Sequence, residues 1–170
     1  NSGNDNLWTE EMDYNLITKI GNYYKEGTLQ TATTTVSSVL GTYNTQTKEA
    51  RFTKDVFVTD TAFEIQSQDL GYNTESKQMR FFDQTIVTNE NSVLRTSRGN
   101  YDSKNQIAYF DSRSSILNNE QYIEGDTLYY NKQVGKGKAI GDVIVWDTAQ
   151  NTTVYCGRAF YDDVQKTLLE

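Results

Sequence analysis

Histidine and proline are absent from the 170 residues, and cysteine occurs once, as Cys156. Lack of histidine removes the commonest general base and the commonest metal ligand together, so neither a catalytic centre nor a cofactor is expected. One cysteine cannot form an intrachain disulfide, and Cys156 reads as a small apolar strand residue rather than a reactive thiol. No stretch approaches the ~18 apolar residues that a membrane-crossing helix needs. Positive charge is scarce: 16 Lys and Arg stand against 23 Asp and Glu, a net charge of −7. Binding to phosphate backbones rests on a basic surface that releases counterions, so nucleic acid is excluded as an expected partner. The start, Asn1-Ser2-Gly3-Asn4-Asp5-Asn6, carries no signal-peptide pattern. Residues 1–6 are expected to be a disordered or trimmed beginning, and 7–170 one domain.

What the chain does have is Tyr, Thr, Val and Phe, the residues that fit a pleated, half-buried surface. They recur with a period. Tyr followed by Asn or Asp stands at Tyr14, Tyr43, Tyr72, Tyr101, Tyr130 and Tyr161, at intervals of 29, 29, 29, 29 and 31. Nine residues after the first four tyrosines comes an aromatic (Tyr23, Phe52, Phe81, Phe110), with Ala139 in the fifth copy. Fifteen after the first five comes Leu29, Val58, Val87, Ile116 or Val145, and seven before a tyrosine stand Val36, Ile65, Leu94 and Ile123. Self-similarity at a fixed step marks a repeat architecture: about six copies of a strand–turn–strand unit.

The second half of each unit alternates with period 2, as in Ala50, Phe52, Val56 and Val58, which describes strands with one face buried and one wet. In the first half the parity slips. Ile65 and Tyr72 are seven apart and would face opposite sides of a flat strand, so a β-bulge is expected in that half, near Asp69, Gly71, Gly99, Gly125 and Asp126. Polar turns follow each tyrosine, and a second set (59–61, 89–91, 118–120, 147–151) joins the units. About twelve strands of roughly ten residues, joined by such short turns, must pair antiparallel.

The run Gly125-Asp126-Thr127-Leu128-Tyr129-Tyr130-Asn131, followed by Gly137-Lys138-Ala139-Ile140-Gly141-Asp142-Val143-Ile144-Val145, resembles the repeat of OstA-like proteins. That group includes LptA, LptC and the amino-terminal domain of LptD. Gln68 to Asn73 and Glu11 to Asn15 fit the first half of that repeat more loosely, and residues 79–87 and 108–116 lack its Gly-Asn-Val. The Tyr- and Asn-rich style resembles the Bacteroidetes branch, whose members are longer. The unit opened at Phe160-Tyr161-Asp162 is not completed, so the chain is expected to be a piece of a longer protein. The resemblance implies an all-β fold, an antiparallel β-jellyroll or β-taco enclosing a hydrophobic groove. It further implies a periplasmic location, lipopolysaccharide as the bound lipid, and partners of the same kind, or copies of itself, joined through terminal strands. No enzymatic activity is implied.

On that reading the interior stripe of Phe52, Val56, Val58, Ile65, Phe81, Val87, Leu94, Phe110, Ile116, Ile123, Val143 and Val145 is the candidate lipid-binding surface. The same alternation also describes plain core packing in a structural or adhesive scaffold with a closed interior. Lys19, Lys48 and Lys77, each five residues after a tyrosine, form a candidate basic rim for headgroup phosphates. Turn lysines also keep a sheet soluble without any ligand.

Overall fold

The computed structural model describes residues 5–118, 120–162 and 167–169. Residues 1–4 of the expected trimmed start lie outside them, as does Asn119 of one inter-unit turn. The described chain contains no helix. Its strands form successive antiparallel rows: β1 (Asn6–Asn15), β2 (Ile20–Gln30), β3 (Thr34–Ser38) continued by β4 (Leu40–Asn44), β5 (Glu49–Asp60) and β6 (Glu64–Asn73). Then come β7 (Gln78–Phe81) with β8 (Thr85–Thr88), β9 (Ser92–Thr96) with β10 (Gly99–Asp102), and β11 (Ile107–Phe110) with β12 (Ser114–Asn118). The last are β13 (Gln121–Gly125) with β14 (Thr127–Asn131), β15 (Lys136–Asp147), β16 (Thr152–Asp162) and the short β17 (Thr167–Leu169). The seventeen segments thus make twelve rows, because several rows break at their midpoint where the sheet bends.

The bend divides the sheet into two arms that face each other. One arm carries a straight aliphatic ladder: Leu7, Leu29, Val36, Val58, Ile65, Val87, Leu94, Ile116, Ile123, Val145 and Val154 are successive cross-strand partners. The other arm carries the tyrosines, each paired with a small or flexible residue. Tyr14, Gly21, Tyr43, Ala50, Tyr72, Met79, Tyr101, Ala108, Tyr130, Gly137 and Tyr161 lie side by side. Beside them a second ladder alternates bulk and space, as in Tyr23, Gly41, Phe52, Leu70, Phe81, Gly99 and Phe110. Gly99 is the clearest case: Phe81 and Phe110 stack across it at 6.2 Å, and a Cβ there would lie 2.5 Å from the Phe110 ring. Alternating large and small residues on facing positions is how a sheet interior fills without voids.

Both turn sets are built by a side-chain oxygen that accepts two backbone N–H groups. Asn44 Oδ1 accepts from Gln46 and Thr47, Asn73 Oδ1 from Glu75 and Ser76, and Asn118 Oδ1 from Glu120 and Gln121. Such Asx turns satisfy donors that a tight turn leaves unpaired.

The expected bulge is present, but its extra residue lies in the other half of the unit. Thr53 pairs with Asp69 and Val56 with Ser67, so Lys54 and Asp55 of β5 oppose Gln68 alone. Ile140 and Val143 of β15 likewise pair with Arg158 and Cys156, leaving Gly141 and Asp142 opposite Gly157. Lys54, Asp55, Gly141 and Asp142 all have positive φ. The face switch read between Ile65 and Tyr72 is real: Ser67 and Leu70, three apart, both point inward. In the second-half rows the inward pair is four apart, Phe52 and Val56 or Phe81 and Thr85. Neighbouring rows turn the same corner with one residue more or fewer, which is what a bulge does.

Candidate functional site

The interior between the arms collects the whole predicted stripe, in two conditions. Phe52, Val56, Val58, Ile65, Phe81, Phe110, Val143 and Val145 are buried, with Val58 at 0% exposure and Phe52 and Ile65 at 1%. Val87, Leu94, Ile116 and Ile123 are only half-buried, though they pack against that core. These four are consecutive members of the aliphatic ladder. The interior is therefore filled over β2 to β7 and less fully covered over β8, β9, β12 and β13.

A contact between the free ends of the arms marks the change. Phe63, in the turn between β5 and β6 on the aliphatic arm, meets Tyr101 of β10 on the tyrosine arm edge-to-face, with centroids 5.8 Å apart. Burial, reinforced by the nearby carboxylates of Asp60 and Asp102, holds the Tyr101 hydroxyl above the usual tyrosine range. A neutral phenol suits that position, since one edge of its ring is covered and the negative neighbours oppose its ionisation. Asp60 in turn accepts a hydrogen bond from the Thr34 hydroxyl at 2.7 Å.

Along the inside of the bend runs a seam of buried hydroxyls for which sequence patterning gave no expectation. Ser38, Ser67, Thr85, Thr96 and Ser114 are all buried. Each lies within hydrogen-bond distance of a main-chain carbonyl oxygen two residues away, at the bend of its own row. The acceptors are Leu40 (2.8 Å), Asp69 (3.3 Å), Asp83 (2.8 Å), Arg98 (3.1 Å) and Ser112 (2.7 Å). All five acceptors lie on the tyrosine-arm side. Cross-row bonds join Ser67 to Thr85 at 2.7 Å and Ser114 to Thr96 at 2.8 Å. Carbonyls that lose their ladder partner at a kink would otherwise be buried unpaired, at a cost of about 1–3 kcal/mol each. Tyr23 adds a further bond to Ser38, and burial outweighs that bond in raising its hydroxyl above the ordinary tyrosine range. A signal was available: Ser38, Ser67 and Thr96 keep the 29-residue step, as do Thr85 and Ser114.

The lysines predicted to form a rim do form a row, for a backbone reason. Lys19, Lys48 and Lys77 occupy the left-handed position of equivalent turns, at φ 61°, 62° and 61°. Their amides donate to the carbonyls of Asn15, Asn44 and Asn73, and their carbonyls accept from Thr45, Thr74 and Ser103 of the next turn in the stack. The fourth and fifth turns place Gln106 and Gly135 there instead. The lysine row therefore ends at Lys77.

Residues 1–68 match the family model described as OstA-like protein. The match covers two-fifths of the chain and agrees with the resemblance read from the repeat. None of the curated proteins matches the chain. Among solved structures the fold is similar to that of LptH, described as the LptA-homologous periplasmic component of the conserved lipopolysaccharide transport device from Pseudomonas aeruginosa. The two share 11% sequence identity at a TM-score of 0.56, over 61% of this chain and 79% of LptH. At that identity the likeness is one of fold, and it agrees with the all-β jellyroll architecture that the family resemblance implies.

Proposed function

From a chain whose residues 1–68 match the OstA-like family model, we propose a periplasmic bridge module of lipopolysaccharide transport that holds lipid acyl chains between its two arms. The observation that carries this reading is the run of half-buried aliphatic residues Val87, Leu94, Ile116 and Ile123, continuous with a fully buried ladder. An alkyl chain laid against them gains ~0.8 kcal/mol per buried methylene and needs no exact polar match. The lysine row supplies cations for headgroup phosphates on the lip of the tyrosine arm. At the first row, inward-facing Met12 and Tyr14 of β1 remain 46% and 40% exposed, with Trp8 at 52%. Among the described residues β1 pairs only with β2. An edge of that kind accepts another strand by β-augmentation, from a second copy or from another jellyroll of the same type.

The test is photo-crosslinking with a photoreactive residue at Leu94 or Ile116, and at outward-facing Arg80 for comparison. Lipid A should label the first two positions and not the third, and Leu94→Glu should lower uptake by about tenfold, a shift of 1.4 kcal/mol. Folded protein that takes up no lipid A at either interior position rejects the proposal. A second reading, a scaffold with a closed core and protein partners only, draws support from the filled interior around Phe52, Val58 and Ile65. It predicts that native mass spectrometry of freshly purified protein shows no lipid adduct.

A further inference from the structure

Outside the bend, on the face turned away from the lipid-facing interior, lies a trough that the transport reading does not use. One bank is a single outward ladder of successive cross-strand partners: Phe57, Gln66, Ile86, Arg95, Ser115 and Glu124. The opposite bank comprises Gln68, Gln84, Ser97 and Arg113, and the kinked backbone of the rows forms the floor between them. Five row spacings of about 4.8 Å make it roughly 24 Å long.

We propose that this trough binds a linear acidic oligosaccharide. The argument starts from unused groups. Among the described residues, the side chains of Gln66, Gln84, Arg95 and Ser97 have no hydrogen-bond or ion-pair partner, while nearby Arg51, Arg98 and Arg113 are all ion-paired. An amide or hydroxyl both donates and accepts, as does each sugar hydroxyl, and an unpaired guanidinium matches a carboxylate with two parallel N–H donors. Phe57, 38% exposed, and half-buried Ile86 alternate with these polar groups and offer apolar surface to the C–H faces of sugar rings. Other extended ligands fit worse. A peptide strand needs a free sheet edge, and the rows flooring the centre of the trough are paired on both sides. A polyphosphate needs a basic surface, and Asp55 and Glu124 stand at the two ends.

Because the sheet itself separates the trough from the interior, this site stands or falls independently of lipid uptake. The experiment titrates the whole chain with a six-sugar oligogalacturonate and, in parallel, with neutral maltohexaose, following the side-chain amide NMR resonances of Gln66 and Gln84. The expected result is saturable shifts with the uronate, weaker binding of the neutral sugar, and a loss of about tenfold or more in Arg95→Gln. Gln66→Ala should weaken binding severalfold, and Arg80→Gln, on the outer face of the other arm, should leave it unchanged. No shift with the uronate, or equal affinity in wild type and Arg95→Gln, overturns the proposal.

Discussion

Gly99 shows how narrowly single residues are specified in this interior. Its neighbours across the sheet are Phe81 and Phe110, and a Cβ would lie 2.6 Å from the Tyr109 carbonyl oxygen as well as against the Phe110 ring. One obstacle is backbone, so a rotamer change cannot relieve both. Gly99→Ala is expected to cost about 1–3 kcal/mol by overpacking, read as a lower urea midpoint. Gly157→Ala, with nothing within 4 Å of the added Cβ, should leave the midpoint in place. Alternation of bulk with space thus ties one copy to the next at the level of single side chains. Phe81 and Phe110 are spent on each other.

At the scale of the element, the tyrosine-side turns divide their labour. Asn opens the turn with its side-chain oxygen, and the residue four later closes it in the left-handed conformation. A non-glycine residue held there costs roughly 1–2 kcal/mol, partly offset because glycine loses more entropy on folding. Lys48→Gly should therefore stabilise the protein by up to about 1 kcal/mol in denaturant unfolding. Lys48→Val should destabilise it, since a β-branched side chain tolerates positive φ least. If lysines persist in the first three copies for a headgroup, Lys48→Gly will raise stability while lowering lipid uptake. The bulges follow a similar logic. Lys54 and Asp55 add the residue that lets β5 turn its corner alongside β6, and nothing in the alternation of β5 itself discloses it, because Phe52 and Val56 keep the same parity on either side.

For the whole molecule, each row pairs its backbone only with its neighbours, so stability is expected to vary along the stack as in other quasi-one-dimensional proteins. Hydrogen exchange should be slowest in β5 and β6, whose inward residues are the most completely buried, and fastest in β1 and β16. Uniform protection across all rows would show instead a single cooperative unit in which the terminal rows are as well held as the centre. The 29-residue period, the inward faces of both ladders, the two turn sets and the row of lysines could all be read from the chain. Each is a local or strictly repeating pattern, and period-2 alternation determines which side chains share a face whatever lies opposite. Three things could not: the strand that carries the extra residue, the trough outside the bend, and the Phe63–Tyr101 contact between the arms. All depend on where the sheet folds over and which surfaces then meet. That choice brings together residues 38 positions apart, and it is made by the packing of one arm on the other.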